Sequence, residues 1–201
     1  MTSQGRRNRF PRVLAVEDGP FSKADTYCLL VGVVTTRSSI EGVSLDRIRV
    51  DGTDGTEKVV SLAKHFRTLS LIMLPSVSLG GFNIVDPYEL GRRLEVPIVI
   101  ANPKKPNLKA VRAALQHHFH DWKDRVRVFD VMGSPNALRV GDEGTLYFYS
   151  VGMQARTARK ALLSVILFGR KPEPLRIARI LARALSHTLS VNATRRMCHK
   201  R

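Results

Sequence analysis

Apolar residues in this chain form short continuous runs, separated by segments in which they recur every three or four positions. These are the patterns of buried strands and amphipathic helices. Residues 12–17 open with Val13-Leu14-Ala15-Val16, and Tyr27 to Thr35 is apolar throughout, as in a central strand covered on both faces. Ser44 to Val50 alternates, with Leu45, Ile48 and Val50 set against Asp46, Arg47 and Arg49. Leu69 to Leu74, ended by Pro75, and Val96 to Ala101, closed by Asn102-Pro103, read as further buried strands. Val126 to Val131 and Thr145 to Val151 are the last two expected strands.

Helical spacing fills the intervals. Thr53 or Asp54 can cap a helix with Val59, Val60, Leu62, Ala63 and Phe66 on its inner face. Gly80-Gly81 opens a second, running through Leu94. A start at Asp86 is the rival, because Pro87 sits badly inside a helix. Asn107 to Phe119 carries Val111, Ala114, Leu115 and Phe119 inside. Gln154 to Phe168 and Pro174 to about Ser190 follow, divided by Gly169 to Pro172. Glu173 and Pro174 suit the start of the last helix.

Three early strands with short links predict a meander, and the later strand–helix alternation requires parallel pairing through crossovers. The fold class is therefore α/β: a mixed sheet flanked by helices, with a C-terminal helical section. The 201 residues suit a single domain, residues 12–190, between a basic flexible arm (1–11, with Arg6, Arg7 and Arg9) and a basic flexible tail (191–201).

Charge changes this picture more than composition does. Lys and Arg number 33 against 17 Asp and Glu, a formal charge of +16, so the leading partner is a polyanion, DNA or structured RNA, ahead of an acidic membrane surface. Cys28 and Cys198 lie far apart without metal spacing and point to a reducing compartment. With no apolar stretch of membrane length and no signal-like apolar core at the N-terminus, a cytoplasmic location is expected.

Against that basic background, acids gather at strand ends. Val16 runs into Glu17-Asp18, and Val50 into Asp51-Gly52-Thr53-Asp54. Leu74 is followed by Gly80-Gly81-Phe82-Asn83-Ile84-Val85-Asp86. Carboxylates fixed by rigid strands are candidates for holding a divalent metal, Mg²⁺ or Mn²⁺. Each has a plainer reading. Asp18-Gly19-Pro20 makes a turn, Asp54 caps a helix, and Asp86 caps the helix beginning at Pro87. The Asp51 segment is not a calcium-binding loop, because its twelfth position is Leu62 where Glu is needed. His117, His118 and His120 suit a solvated helix end. Gly80, Gly81 and Asn83 would let a phosphate approach the backbone. Lys104, Lys105, Arg176, Arg179, Arg183, Arg195 and Arg196 are candidate phosphate contacts, or else a solvated face.

Four stretches carry a family resemblance: Leu14 to Phe21 (LAVEDGPF), Val50 to Thr56 (VDGTDGT), Gly81 to Asp86 (GFNIVD) and Pro172 to Ala178 (PEPLRIA). In order and spacing they resemble an archaeal family, the endonuclease dU family, over roughly residues 12–187. That family is similar to endonuclease V, which implies a ribonuclease H-like fold and metal-dependent nicking of DNA beside a deaminated base such as deoxyuridine. By the resemblance, Glu17 or Asp18 is the central-strand carboxylate and Asp51 the acid ending the third strand, with Asp86 as the third. Family members usually carry Asp where this chain has Glu17. The Asp-Gly after the fourth strand of endonuclease V is Leu74-Pro75-Ser76 here, and the Pro-Tyr wedge of that enzyme is absent.

Two functions follow. One is a Mg²⁺-dependent endonuclease for DNA repair, with Glu17, Asp18, Asp51 and Asp86 as catalytic and metal-binding residues around two ions. The other is a non-catalytic RNA- or ribosome-binding protein on the same fold. A small-molecule enzyme using the glycine-rich turn is a third.

Overall fold

The structure is a computed structural model that describes residues 11–37 and 39–198, with side chains as far as Thr188. A seven-stranded mixed sheet runs in the order β3 (Ser39–Arg49), β2 (Tyr27–Thr36), β1 (Arg12–Asp18), β4 (Leu71–Leu74), β7 (Ile98–Asn102), β9 (Thr145–Val151), β8 (Asn136–Arg139). The meander β1–β2–β3 is antiparallel, and β1, β4 and β7 are parallel, so their carboxyl ends share one edge. β9 returns antiparallel beside β7. This is the mixed sheet flanked by helices that the hydrophobic pattern predicts.

Side-chain alternation along buried strands divides the core in two. Leu14 and Val16, with Ile72, Leu74, Ile98 and Ile100, pack under α1 (Gly55–Lys64), α2 (Pro87–Leu94), α3 (Leu108–His118) and α4 (Trp122–Met132). Val13 and Ala15, with Met73, Val99, Leu146 and Phe148, pack under α5 (Ala155–Val165) and α6 (Glu173–Cys198). The predicted inner face of the first helix is as expected: Val59, Val60, Leu62 and Ala63 are buried.

Three expectations are corrected. Residues 126–131 are helix, not strand. The run Val-Arg-Val-Phe-Asp-Val satisfies both periods, and burial of Arg125, Val126 and Phe129 at helical spacing decides for α4. The expected helix from Gly80 is instead a small hairpin, β5 (Ser78–Leu79) with β6 (Asn83–Ile84), whose turn uses Gly80 and Gly81 at φ 53° and 84°. The helix that follows begins at Pro87, with Asp86 as its cap. Finally, α6 runs to Cys198, beyond its expected end at about Ser190. The arm 1–10, with Arg6, Arg7 and Arg9, lies outside the described residues.

Candidate functional site

Glu17 and Asp18 end the same strand and point to opposite sides of the sheet. Glu17 faces the α5–α6 layer and is only 5% exposed. Its Oε1 accepts from Lys171 Nζ at 2.6 Å, a bond supplied by the α5–α6 link. Burial raises the pKa of Glu17, Lys171 opposes that rise, and Asp18 adds to it. Arg170, from the same link, donates to the Thr145 carbonyl at 3.1 Å and holds the link against the start of β9. Glu173 is also buried here and accepts from Arg176 through both oxygens, at 2.7 and 2.5 Å.

Asp18 faces the other layer, where backbone amides take the place of a cation. Its Oδ2 accepts from Gly80 N–H at 2.8 Å, while Asp51 Oδ1 accepts from Phe82 N–H at 2.8 Å. Asp51 N–H returns a bond to the Gly80 carbonyl, also at 2.8 Å. The pKa of Asp18 is raised, chiefly by burial, and the Gly80 amide opposes the rise. Gly81 is required at this turn: a Cβ there would fall on Asp51 Oδ1, and its φ of 84° disfavours any side chain. Gly80 is buried and Gly81 half-buried, and the amides of this turn hold the two aspartates.

Asn83 is completely buried. It donates to the Arg49 carbonyl at 2.9 Å and to Asp54 Oδ1 at 2.5 Å, and accepts from Gly55 N–H at 2.7 Å. Asp54 occupies the cap position of α1, yet its carboxylate is held by Asn83 and makes no capping bond. Arg125 locks the cluster from α4. It donates to the carbonyls of Asp51 and Gly52 at 3.0 Å and of Phe82 at 2.6 Å, pairs with Asp121, and lies 4.3 Å over the Phe119 ring. Sequence reading missed Arg125 and Lys171.

Asp86 is committed elsewhere, since it accepts from Tyr88 N–H at 2.9 Å and Glu89 N–H at 3.2 Å as the cap of α2. The four expected acids are thus parted: Glu17 beneath Lys171, Asp18 and Asp51 on the Gly80–Phe82 turn, Asp86 at a helix start. Among the described residues no group of three or more His, Cys, Asp and Glu could hold a metal ion. The donor set does not fit a two-metal centre, in which the ions sit about 3.5–4 Å apart and share carboxylates. Cys28, buried near Asp18, has its pKa pushed up to about 12, mainly by burial, and is an inert thiol. His117, His118 and His120 are exposed around the end of α3.

The basic residues remain accessible. Arg176, Arg179 and Arg183 lie exposed along α6, opposite buried Leu175, Ala178 and Ala182. Lys104 and Lys105 are exposed just beyond β7. Arg195 and Arg196 lie outside the residues whose side chains are described. Among the described residues no helix is long and apolar enough to cross a membrane.

A mixed seven-stranded sheet flanked by helices in this way is similar to the fold of endonuclease V. The Ciona intestinalis endonuclease V, solved with a 24mer DNA containing an inosine followed by a ribo-adenosine, superimposes with a TM-score of 0.57. The identity is 10%, with 90% of this chain and 88% of that one covered. Human endonuclease V gives a TM-score of 0.58 at 17% identity, covering 90% and 86%. Residues 9–186 match endonuclease dU, and the chain belongs to that family. An archaeal relative, a UPF0215 protein of Thermococcus gammatolerans, is 38% identical over 181 residues, 87% of this chain and 91% of its own. A protein of unknown function from Archaeoglobus fulgidus, solved by crystallography, has a TM-score of 0.77 at 30% identity, covering 88% of this chain and 98% of that one.

Proposed function

We propose that this protein binds nucleic acid through the carboxyl-end edge of its sheet without cutting it. It would then be a non-catalytic member of a nuclease-like family. The observation that carries this reading is the Lys171–Glu17 ion pair, 2.6 Å long and largely buried at the end of the central strand. The resemblance expects a metal-binding carboxylate there, and the chain supplies its own cation instead. The Leu74-Pro75-Ser76 segment, which by the resemblance replaces the Asp-Gly of endonuclease V, and the commitment of Asp18, Asp51 and Asp86 to backbone amides support the same conclusion. A formal charge of +16 and the exposed Arg179, Arg183, Lys104 and Lys105 supply the attraction for phosphates, which acts through counterion release and therefore weakens with salt.

The test uses the full chain with duplexes carrying deoxyuridine or deoxyinosine and with a structured RNA, in Mg²⁺ or Mn²⁺. Fluorescence anisotropy across a salt series should show binding whose logarithm falls linearly with log salt, and denaturing gels should show intact strands. Metal-dependent nicks that disappear in Asp18→Asn or Glu17→Gln would overturn it. They would establish the second reading, an endonuclease acting beside deaminated bases with Mg²⁺ or Mn²⁺, which family membership favours. Preference for structured RNA over duplex DNA would point to an RNA or ribosomal partner.

A further inference from the structure

Tyr27, Ile40, Val43 and Leu45 are each 44–51% exposed and share one face at the β3 margin of the sheet. Val43 stands opposite Val33 and Leu45 opposite Val31, and both partners are buried in the α5–α6 layer of the core. The pleat therefore turns Val43 and Leu45 to that side. α6 packs across β1 and β2 and leaves this outer column open to solvent among the described residues. β3 also ends the sheet, so one row of its backbone N–H and C=O groups has no neighbouring strand. An apolar strip beside an unpaired strand edge marks a contact surface.

Charge on this face is of one sign. Arg47 and Arg49 follow Leu45, opposite Leu29 and Tyr27, and among the described residues neither guanidinium forms an ion pair. The acids of the same strand are turned away and already answered. Asp46 faces α1, where Lys58 Nζ donates to it at 3.0 Å. A bulge opposite Val34 and Thr35 turns Glu41 to that side too, and Arg12 Nε donates to it at 2.5 Å.

The edge thus lacks a strand with apolar side chains against Val43 and Leu45 and carboxylates against Arg47 and Arg49. This chain does not supply one. Residues 1–10 carry Arg6, Arg7 and Arg9, residues 189–201 carry Arg195, Arg196, Lys200 and Arg201, and neither segment contains Asp or Glu. A second copy is no better suited. Two-fold antiparallel pairing of β3 with itself keeps the faces matched, so the arginines of both copies would share one side and the acids the other, between chains of formal charge +16.

We propose that β3 is a docking edge for an acidic, apolar strand of another protein, which extends the sheet, covers Val43 and Leu45 and pairs its carboxylates with Arg47 and Arg49. Backbone hydrogen bonds along the edge supply affinity, and the side chains facing α6 supply selection.

The experiment titrates the full chain against fluorescein-labelled peptides, read by anisotropy, with amide hydrogen exchange on the complex. Glu-Thr-Glu-Thr-Val-Thr-Val, with blocked ends, matches the face in antiparallel pairing, and Val-Thr-Val-Thr-Glu-Thr-Glu matches it in parallel pairing. Lys replaces Glu in the two controls. One Glu peptide or both should bind more tightly than the Lys counterpart, weaken with salt, and slow amide exchange in β3. Arg47→Glu/Arg49→Glu should reverse the preference, since two exposed ion pairs are together worth about twofold to thirtyfold in affinity. Leu45→Lys should weaken Glu-peptide binding through the loss of apolar contact. These positions are exposed and thermal melts confirm folding, while the preference and the β3 protection of the parent chain test the edge without any variant. The proposal fails if no peptide binds at millimolar concentration, if the Lys peptides bind the parent as tightly as the Glu peptides, or if protection falls outside β3. A dimer of the parent that Leu45→Lys dissociates would give the edge to a second copy, and displacement of bound peptide by duplex DNA or structured RNA would give it to nucleic acid. Either result overturns the assignment.

Discussion

Glu17 and Asp18 are neighbours in the chain, yet the two faces of the sheet solve the burial of their charge differently. On the α5–α6 side a lysine answers the carboxylate directly. On the α1–α4 side a glycine turn aims a backbone amide at Asp18, while Arg125 braces the turn from behind. A buried carboxylate needs a partner because desolvation penalises its charged form, but the partner may be a point charge or a dipole. Acids at the end of a central strand therefore do not by themselves make a metal centre. Their function depends on what the opposing layers present.

The comparison can be broken most forcefully at Lys171. Lys171→Met leaves Glu17 buried without its hydrogen-bonded cation, Arg179 acting only through space, and should cost about 3–5 kcal/mol at pH 7, read by urea unfolding. Glu17→Leu/Lys171→Met should recover most of that loss, since removing both charges leaves nothing unpaired. The deficit of the single variant should shrink on acidification. The folded-state pKa of Glu17 lies above the ordinary value, so the native protein takes up the neutralising proton before the unfolded chain does. A deficit that stays constant down to acid pH would mean Glu17 is not the group responsible.

On the opposite face, Arg125→Leu strips donors from three carbonyls at once and should cost about 3 kcal/mol, at about 1 kcal/mol per hydrogen bond lost. It should also loosen the Gly80–Phe82 turn, visible as faster amide exchange there than on the Glu17 side. Gly81→Ala should cost about 2 kcal/mol, combining left-handed backbone strain with displacement of the Asp51 carboxylate.

The smallest effect has the most informative sign. Asp18→Asn keeps an oxygen for the Gly80 amide and removes a buried charge. Because the folded-state pKa of Asp18 is raised, its stabilising contribution is full below the ordinary aspartate range and is lost as pH rises through the folded value. The variant should therefore match or exceed the parent in stability at pH 7, and that advantage should vanish near pH 3. Thermal melts at the two pH values check this, and a variant less stable at pH 7 than at pH 3, relative to the parent, would reverse the assignment.

Six of the seven sheet strands were legible in the chain because they are apolar or alternating runs with clear ends, and the α/β class follows from their order; the short edge strand β8 carries no such run and was not expected. The misread segments are those where two periods coincide or one residue type serves two geometries. Val126 to Val131 alternates and also lines one face of a helix, and only packing over the turn after β3 selected α4. Gly80-Gly81 announced a tight turn and was assigned to a helix start, whereas a hairpin needed the same positive φ. Asp86 was legible as a cap through Pro87, and the structure uses it as one.

The sequence alone determined that acids stand at the ends of β1 and β3 in a strongly basic protein, because strand periodicity and charge are local properties. Which face each acid meets, and what waits there, was decided by tertiary structure. Lys171 reaches Glu17 across 154 residues of chain, and Arg125 reaches Asp51 across 74. No local pattern encodes such a pairing: it exists only once the helices have packed against both faces of the sheet.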